Sequence, residues 1–314
     1  VNNLNSPFLP DMVDIWQQTM NWTPTVQQQE LFQKLYELIL SGNSQQNLTR
    51  ITDPQEFWEK HLWDSLRGIA FLLSGQTQEN TGDKEDSTPS SSPIQNPHCP
   101  LSPEGAPSSP IQNPHCPLSP EGAPSSPIQN PQSKIQNPKS KIQNSQSPTF
   151  IDIGTGAGFP GIPVAMTVAH STVTLLDSTR KKIAFLDRVK DELHLSNIKT
   201  VTGRAEEISH QIQHRQQYDV ALIRAVGTAS VCAEYTLPLL KQDGLAVIYR
   251  GNWTEDEAKS LENAVQQLGG TIESVEEFKT PLTQSIRHCL YLRKIATTPS
   301  QFPRAIGVPT QKPL

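Results

Sequence analysis

The chain has 314 residues, 35% of them hydrophobic, with 27 prolines and a formal net charge of −5. That charge excludes an overall basic footprint, so any nucleic-acid binding needs a local patch, and no apolar run reaches the ~18 residues of a membrane-crossing helix. A low apolar fraction beside so much proline points to a folded part diluted by an unfolded one. The opening stretch VNNLNSPFLPDM has neither the basic start nor the apolar core of a signal peptide, so the chain is expected in the cytosol.

The first ordered piece, about residues 10–73, reads as helical. TPTVQQQELFQKLYELILSG begins on a Thr-Pro signal, sets Val26, Leu31, Leu35, Leu38 and Ile39 on one face, and has Gly42 to close it. In the next helix Asp53 is a good N-cap, Pro54 fits the first helical position and Glu56 stands at N3 for a capping box. Phe57, Leu62, Leu66, Ile69 and Leu73 then form an apolar stripe. Trp16, Trp22, Trp58 and Trp63 are expected in the core or at a domain contact rather than as platforms for bases. His61 and Asp64 lie three apart with Ser65 beside them, and a polar face toward RNA or the second piece suits them better than a catalytic dyad. Asn47 and Thr49 fit either a turn cap or an RNA contact.

Residues 74–148 are repetitive. PIQNPHCPLSPEGAPSS starts at Pro93 and again at Pro110, PIQNP returns at Pro127, and KIQN recurs with period seven at Lys134 and Lys141. Pro131 and Pro138 rule out a coiled coil. With few aromatic or β-branched residues the segment cannot bury enough surface to offset its ordering entropy, so a disordered Pro/Ser/Gln/Asn-rich insert is expected. Cys99 and Cys116 sit in copies of this repeat without any C-x-x-C spacing, so no metal site is expected. Cys232 and Cys289 read as small core residues.

From residue 149 to about 296, strands and helices alternate. TFIDIG, TVTLLD, IKTVTG, YDVALIRAV, LAVIYRG, TIESVEEFK and RHCLYLRK read as strands. Helices are expected from Gly161 to about Ala169, over TRKKIAFLDRVKDELHL, over SVCAEYTLPLLKQDG ending at Gly244, and over TEDEAKSLENAVQQLGG. This order predicts an α/β fold with an open, doubly wound, mostly parallel sheet, carrying the N-terminal helices as an extension, with residues 297–314 as a tail.

Such sheets bind ligands beyond the carboxyl ends of their strands. After the first strand comes Asp152-Ile-Gly154-Thr-Gly156-Ala-Gly158, whose glycines permit positive φ and close approach of a ligand. Gly156 to Gly161 also fits the dinucleotide G-x-G-x-x-G pattern, but two residues late, and Asp152 occupies a place that pattern usually fills with an apolar residue. The loop suits S-adenosylmethionine better, since that molecule has no pyrophosphate to set against a helix N-terminus. Asp152 can meet its ammonium group or cap the turn. Asp177, 19 residues after Gly158, can accept the ribose hydroxyls or cap the next helix. Ala205 and Glu206 after the third strand can meet an adenine edge or simply open a helix.

The stretches NLTRITDPQEFWEKHLWDS, FIDIGTGAGFPGIP, LLDSTRKKIAFL, GRAEE, IRAV and FPRAIGVPTQKPL, in this order, closely resemble the bacterial small-subunit ribosomal RNA methyltransferase G family, also called glucose-inhibited division protein B. The likeness covers nearly everything outside the insert. It implies a seven-stranded, Rossmann-like class I methyltransferase that uses S-adenosylmethionine to form N7-methylguanosine in 16S rRNA, with that RNA or the small ribosomal subunit as partner. By the same likeness Gly154 and Phe159 line the cofactor pocket, Asp177, Ser178 and Thr179 its ribose side, Ala205 and Glu206 its adenine side, and Arg224 closes it. Arg204, Arg250 and Arg287 correspond to basic residues around the guanine, although relatives often carry Lys at the position of Arg250. Arg180, Lys181, Lys182, the LRK of residues 292–294, Arg304 and Lys312 are candidates for phosphate contacts. Three rival readings remain at this point: a methyltransferase of another substrate, a non-catalytic RNA-binding or assembly protein that keeps the pocket, and an NAD-dependent enzyme, which Asp152 and the phase of the glycine loop disfavour.

Overall fold

The computed structural model describes residues 7–74, 142 and 147–314. The insert expected over 74–148, with Cys99 and Cys116, lies outside these residues but for its edges and Ile142.

Two helices open the chain. α1, Val13–Met20, buries Trp16 and Met20. α2, Val26–Asn43, starts on a complete capping box in which the Thr25 hydroxyl accepts from the Gln28 amide and the Gln28 side chain accepts from the Thr25 amide. Its buried face is Phe32, Leu35, Tyr36 and Ile39. The expected face was rotated from this one: Val26 is 71% exposed, and Leu31 and Leu38 are only partly buried. Gly42 does not close α2 but lies inside it, where a Cβ would come 2.3 Å from Phe185 Cε2. α2 thus needs glycine there to approach its neighbour.

α3 covers residues 54–67. It runs as an α-helical turn, Pro54–Phe57, a π-helical stretch, Trp58–Trp63, and a second α-helical turn, Asp64–Arg67. Asp53 caps it by accepting from the amides of Gln55 and Glu56. Glu56 pairs with Lys60 at 2.8 Å, and the cap is made by Asp53. The apolar stripe Phe57, Leu62, Leu66, Ile69 and Leu73, continuing through α4, Ala70–Leu73, is fully buried, and Trp16, Trp22, Trp58 and Trp63 join the same core.

The sheet strands are β1 Thr149–Ile153, β2 Thr172–Asp177, β3 Ile198–Thr202, β4 Tyr218–Arg224, β5 Leu240–Arg250, β6 Gly270–Lys279 and β7 Ile286–Lys294. Their order is β3-β2-β1-β4-β5-β7-β6, with β7 antiparallel to both neighbours and the other pairs parallel. The connecting helices are α5 Gly161–Thr167, α6 Arg180–Glu192, α7 Ala205–Ile208, α8 Ala229–Thr236 and α9 Glu255–Gln267. A last short helix, α10 Val308–Gln311, lies in the tail. Strand alternation divides the core. Phe150, Val220, Leu222, Val247 and Tyr291 face the N-terminal helices, α5 and α6, while Ile151, Ile223, Ala246, Ile248 and Leu290 face α8 and α9.

One boundary differs from expectation. α8 stops at Thr236, a single 3₁₀ turn Leu237–Leu239 follows, and β5 already begins at Leu240. Pro238 lacks an amide hydrogen and disfavours helical geometry at the residue before it. Gly244 sits in an irregularity of β5 beside Asp243 (φ 64°), where the partner register jumps from Tyr218↔Leu240 to Val220↔Leu245.

The helical extension is bonded to the sheet. Tyr249 Oη donates to Ser65 O at 2.8 Å, Tyr291 Oη to Gly68 O at 3.1 Å, and Gln28 Nε2 to Met166 O at 3.2 Å. Glu59, on the π-helical stretch, accepts from the amides of Leu282 and Thr283 and from the Thr283 hydroxyl, which fastens the β6–β7 turn. Among the described residues, no helix is long and apolar enough to cross a membrane. At Gly68 a Cβ would lie 2.4 Å from Tyr249 Oη. Gly68→Ala should therefore cost about 1–3 kcal/mol by overpacking, read as a lower urea midpoint with an unchanged m-value.

Candidate active site

The site is built from the loops at the carboxyl ends of β1 to β5. β1 and β4 are neighbours here although the chain leaves them in opposite directions, which opens a crevice at the top of the sheet. The β1 loop turns on Gly154, Gly156 and Gly158, with φ of 70°, 61° and 100°. A Cβ on Gly158 would stand 2.3 Å from Ile162 Cδ1, so only glycine fits that turn.

Among the described residues, all but one of the loop's amides, that of Ala157, are engaged inside the protein. Gly154 and Thr155 donate to Leu176 O, Gly158 and Phe159 to Thr155 O, Gly156 to Asp177 Oδ2 and Gly161 to Asp152 Oδ2. Asp152 is 0% exposed, and its Oδ2 also accepts from Thr155 Oγ1 at 2.6 Å. Burial raises its pKa to about 6, against the opposing pull of these bonds and of Arg224. Of the two roles open to Asp152 in the sequence, the turn-capping one is the one built. Its Oδ1 has no hydrogen-bond partner. Asp177 meets the start of the next helix and also faces a cleft. Oδ1 accepts from the Thr179 amide at 2.8 Å at the start of α6, while the residue lines a cleft with Gly154.

That cleft, about 140 Å³, brings together Gly154, Asp177, Ser178, Arg204, Ala205 and Glu206. Its apolar walls are Ile153, Leu176 and Val226. Sequence reasoning missed Tyr235 and Thr310, which also line it. They come from α8 and the tail, far along the chain and without a local pattern. Glu206 Oε1 accepts from Tyr235 Oη at 2.9 Å and from the Gly307 amide at 3.1 Å.

Phe159, Thr179 and Arg224 do not line this cleft. Phe159 stacks on His61, with ring centroids 4.3 Å apart and planes 9° from parallel, and packs edge-on against Phe57. Arg224 turns toward α3. It donates to Asp64 Oδ2 at 2.9 Å and to Lys60 O at 3.0 Å. Its other Nη stands 3.5 Å from His61 Nδ1, which makes that ring nitrogen the acceptor and leaves Nε2 to donate to Thr49 Oγ1 at 2.9 Å. Burial, then Arg224 and Lys60, lower the His61 pKa to about 3, so the imidazole is neutral. His61 and Asp64 therefore meet the sheet domain, as the polar-face reading held.

A second cleft, about 400 Å³, holds Lys60, His61, Arg224, Tyr249, Arg250 and Arg287. Of the three arginines expected around one base, Arg250 and Arg287 meet here, while Arg204 stands in the smaller cleft. The separation is made by the β4 exit loop: Ala225 (φ 57°) lines the larger cleft and the next residue, Val226, the smaller. Arg250 is held by Gly227 O and by the Glu257 carboxylate. Arg287 has no hydrogen-bond or ion-pair partner among the described residues. Lys60 and Tyr249 were not singled out in the sequence, where neither belongs to a motif with chemistry of its own.

Several expected phosphate contacts are instead structural. Arg304 is paired with buried Glu234, Arg293 with Glu273, and Lys294 donates to Leu237 O and Thr298 Oγ1 beneath the surface. Burial, then Arg215, lower the Lys294 pKa to about 8. Arg180, Lys181 and Lys312 are exposed, and Lys182 lies 3.5 Å from Asp177. Among the described residues, no group of three or more His, Cys, Asp or Glu side chains is placed to hold a metal ion.

Comparison with known proteins follows this geometry. The family model described as GidB, rRNA small subunit methyltransferase G, matches residues 28–81 and 136–289. A protein of Nostoc punctiforme called ribosomal RNA small subunit methyltransferase G is 58% identical over 307 residues, covering 98% of this chain and 99% of the relative. The proteins of that name from Trichormus variabilis and Trichodesmium erythraeum are 56% and 45% identical, covering 98% and 100% of this chain and 99% and 98% of the relatives.

Asp152 yields a pH test. Its folded pKa lies above the ordinary 3.8, so its contribution to stability is fully present below about pH 4 and is lost as pH rises through about 6. Against Asp152→Asn, which keeps an acceptor for Thr155 and Gly161, the wild type should lose about 3 kcal/mol of relative stability between pH 4 and pH 7. Paired denaturant titrations across that range read it. His61 shifts the opposite way in both proteins and cancels in the difference.

Proposed function

Because the chain belongs to the rRNA small subunit methyltransferase G family, we propose that it transfers a methyl group from S-adenosylmethionine to N7 of one guanine in 16S rRNA, on the free RNA or in the small ribosomal subunit. The observation that carries the cofactor is the state of the glycine loop. A pyrophosphate needs unoccupied amides at the loop and the following helix N-terminus, and here Gly154, Thr155, Gly156, Gly158, Phe159 and Gly161 all donate within the protein. Carboxylates of Asp177 and Glu206 line the same cleft, which suits a cationic ligand better than a pyrophosphate. The apolar walls of Ile153, Leu176 and Val226 suit an adenine.

When bound, S-adenosylmethionine supplies an electrophilic methyl group on a sulfonium. Asp177 would accept the ribose hydroxyls, with Ser178 beside it, and Ala205 and Glu206 would flank the adenine. Guanine N7 carries a lone pair and no proton, so no residue has to act as general base. That agrees with a His61 held neutral against Arg224 and an Asp64 already paired. The work left to the protein is position and electrostatics. Arg287, without a partner of its own, is the best-placed cation for the O6/N7 edge of guanine, which a guanidinium reads in bidentate fashion. Arg250 is oriented by Glu257 and Gly227 O, and Arg224, clamped by α3, forms the wall between.

Radiolabelled methyl groups should pass from S-adenosylmethionine into 16S rRNA and be recovered as N7-methylguanine; label found only in protein or in a small molecule overturns the proposal. Asp177→Ala should weaken cofactor binding in calorimetry by roughly 10- to 150-fold, the loss of ~1.5–3 kcal/mol from hydrogen bonds to a charged group.

A further inference from the structure

We propose that the C-terminal segment, residues 304–310, is part of the cofactor cleft: the Gly307 amide fixes the Glu206 carboxylate so that its second oxygen receives a donor from the adenosine half of the ligand. This inference rests on the cofactor reading above and extends it to residues beyond the last strand.

The path of the tail is set by polar ties. After β7 the chain crosses back over α7 and α8. The Arg215 guanidinium donates to the carbonyls of Phe302 (2.8 Å), Thr298 (3.0 Å), Pro299 (3.2 Å) and Ser209 (3.2 Å), and His210 Nε2 meets Pro303 O at 2.8 Å. Arg304 then closes on Glu234. That carboxylate, 0% exposed on α8, accepts from the Arg304 amide at 2.7 Å and from its guanidinium Nε at 3.0 Å and Nη2 at 2.6 Å. Between Arg304 and Leu314 only Pro309 is buried and only Leu314, partly buried, packs on the core, so polar ties set most of the path of this stretch.

What the ties deliver is a donor and a wall. Gly307, at φ 79°, turns its amide onto Glu206 Oε1, and Thr310 lines the cleft opposite Gly154 and Asp177. Tyr235 Oη donates to the same oxygen. Two donors on Oε1 hold the carboxylate in one orientation. Oε2 accepts no hydrogen bond among the described residues, although Glu206 is only 5% exposed and lines the cleft. That oxygen faces the cleft with no protein donor on it, which leaves it open to a ligand, and the adenosine amine and hydroxyls are donors of the right kind. Gly307 is thus a positioning residue acting through Glu206.

The test compares the full chain with two variants: one ending at Ile306, which keeps the Arg304–Glu234 pair but removes Gly307 and Thr310, and Glu206→Gln, which keeps an acceptor for Gly307 and Tyr235 but turns the other position into a donor. The probe is S-adenosylhomocysteine, read by calorimetry. Both variants should bind it at least 10-fold more weakly, with the KM for cofactor raised, the KM for rRNA within twofold, and the unfolding midpoint of the ligand-free protein within about 3 °C of the parent. In the full chain, hydrogen exchange at residues 305–311 should slow on addition of the probe. Unchanged binding by the truncated chain overturns the proposal, as does a defect confined to the KM for rRNA. If Glu206→Gln alone binds normally, the role given to Oε2 is wrong. Failure of the parent chain to bind the probe overturns the cofactor reading itself, and this inference with it.

Discussion

A carboxylate without exposed surface governs the path of the glycine loop. Asp152 ends β1, and through one oxygen it holds both the loop, at Thr155, and the first turn of α5, at Gly161. Desolvation makes such a group costly, so it persists only where donors converge on it. Gly161 has to be glycine for the same reason, since a Cβ there would fall 2.9 Å from the carboxylate oxygen. The left-handed turns at Gly154, Gly156 and Gly158, the engaged loop amides and the position of Asp177 against Gly156 follow from that clamp. The chemistry of the cleft follows in turn: a loop whose donors face inward offers a ligand carboxylates and apolar walls rather than a phosphate cradle.

The second organising contact is between the helical extension and the sheet. The π-helical stretch of α3 brings Glu59, Lys60 and His61 to bear on three different parts of the core: the β6–β7 turn, the Arg224 guanidinium and the Phe159 ring. π-helical turns are uncommon and are frequent at functional sites. Here the widened turn lets consecutive residues serve separate partners around one cleft. Arg224 lies at the centre, and its pairing with Asp64 keeps it on the side of the larger cleft. The β4 exit loop, with Ala225 on one side and Val226 on the other, then keeps the two clefts adjacent but distinct.

Charge is distributed in a way the net value hides. Arg215, Arg293, Lys294 and Arg304 stand below or partly below the surface, Arg293 and Arg304 each matched to a carboxylate, Arg215 to a set of carbonyls, and Lys294 to a carbonyl and a hydroxyl. A buried cation left unmatched would destabilise the fold severely, so these residues are taken up by structure and withdrawn from any nucleic-acid contact. Arg180, Lys181, Arg204 and Lys312, by contrast, are exposed, and Arg287 lines the larger cleft.

Much of this was legible in the chain itself. Short apolar runs alternating with helical segments marked all seven strands, the Asp53-Pro54 cap marked α3, and the spacing of Gly154, Asp177 and Glu206 marked a ligand cleft, because apolar runs, cap chemistry and the βα turn are local properties carried by neighbouring residues. Tertiary structure alone decided which face of α2 is buried, that β5 starts four residues before Gly244, that Arg204 lines the smaller cleft and Arg224 the larger, and that Tyr235 and the tail, tied down at Glu234, reach the smaller cleft. Those outcomes depend on which long side chain finds a partner distant in sequence once the sheet has closed. A guanidinium has the same local pattern whether it ends on a carboxylate of α3, on one of α8, or in an open cleft.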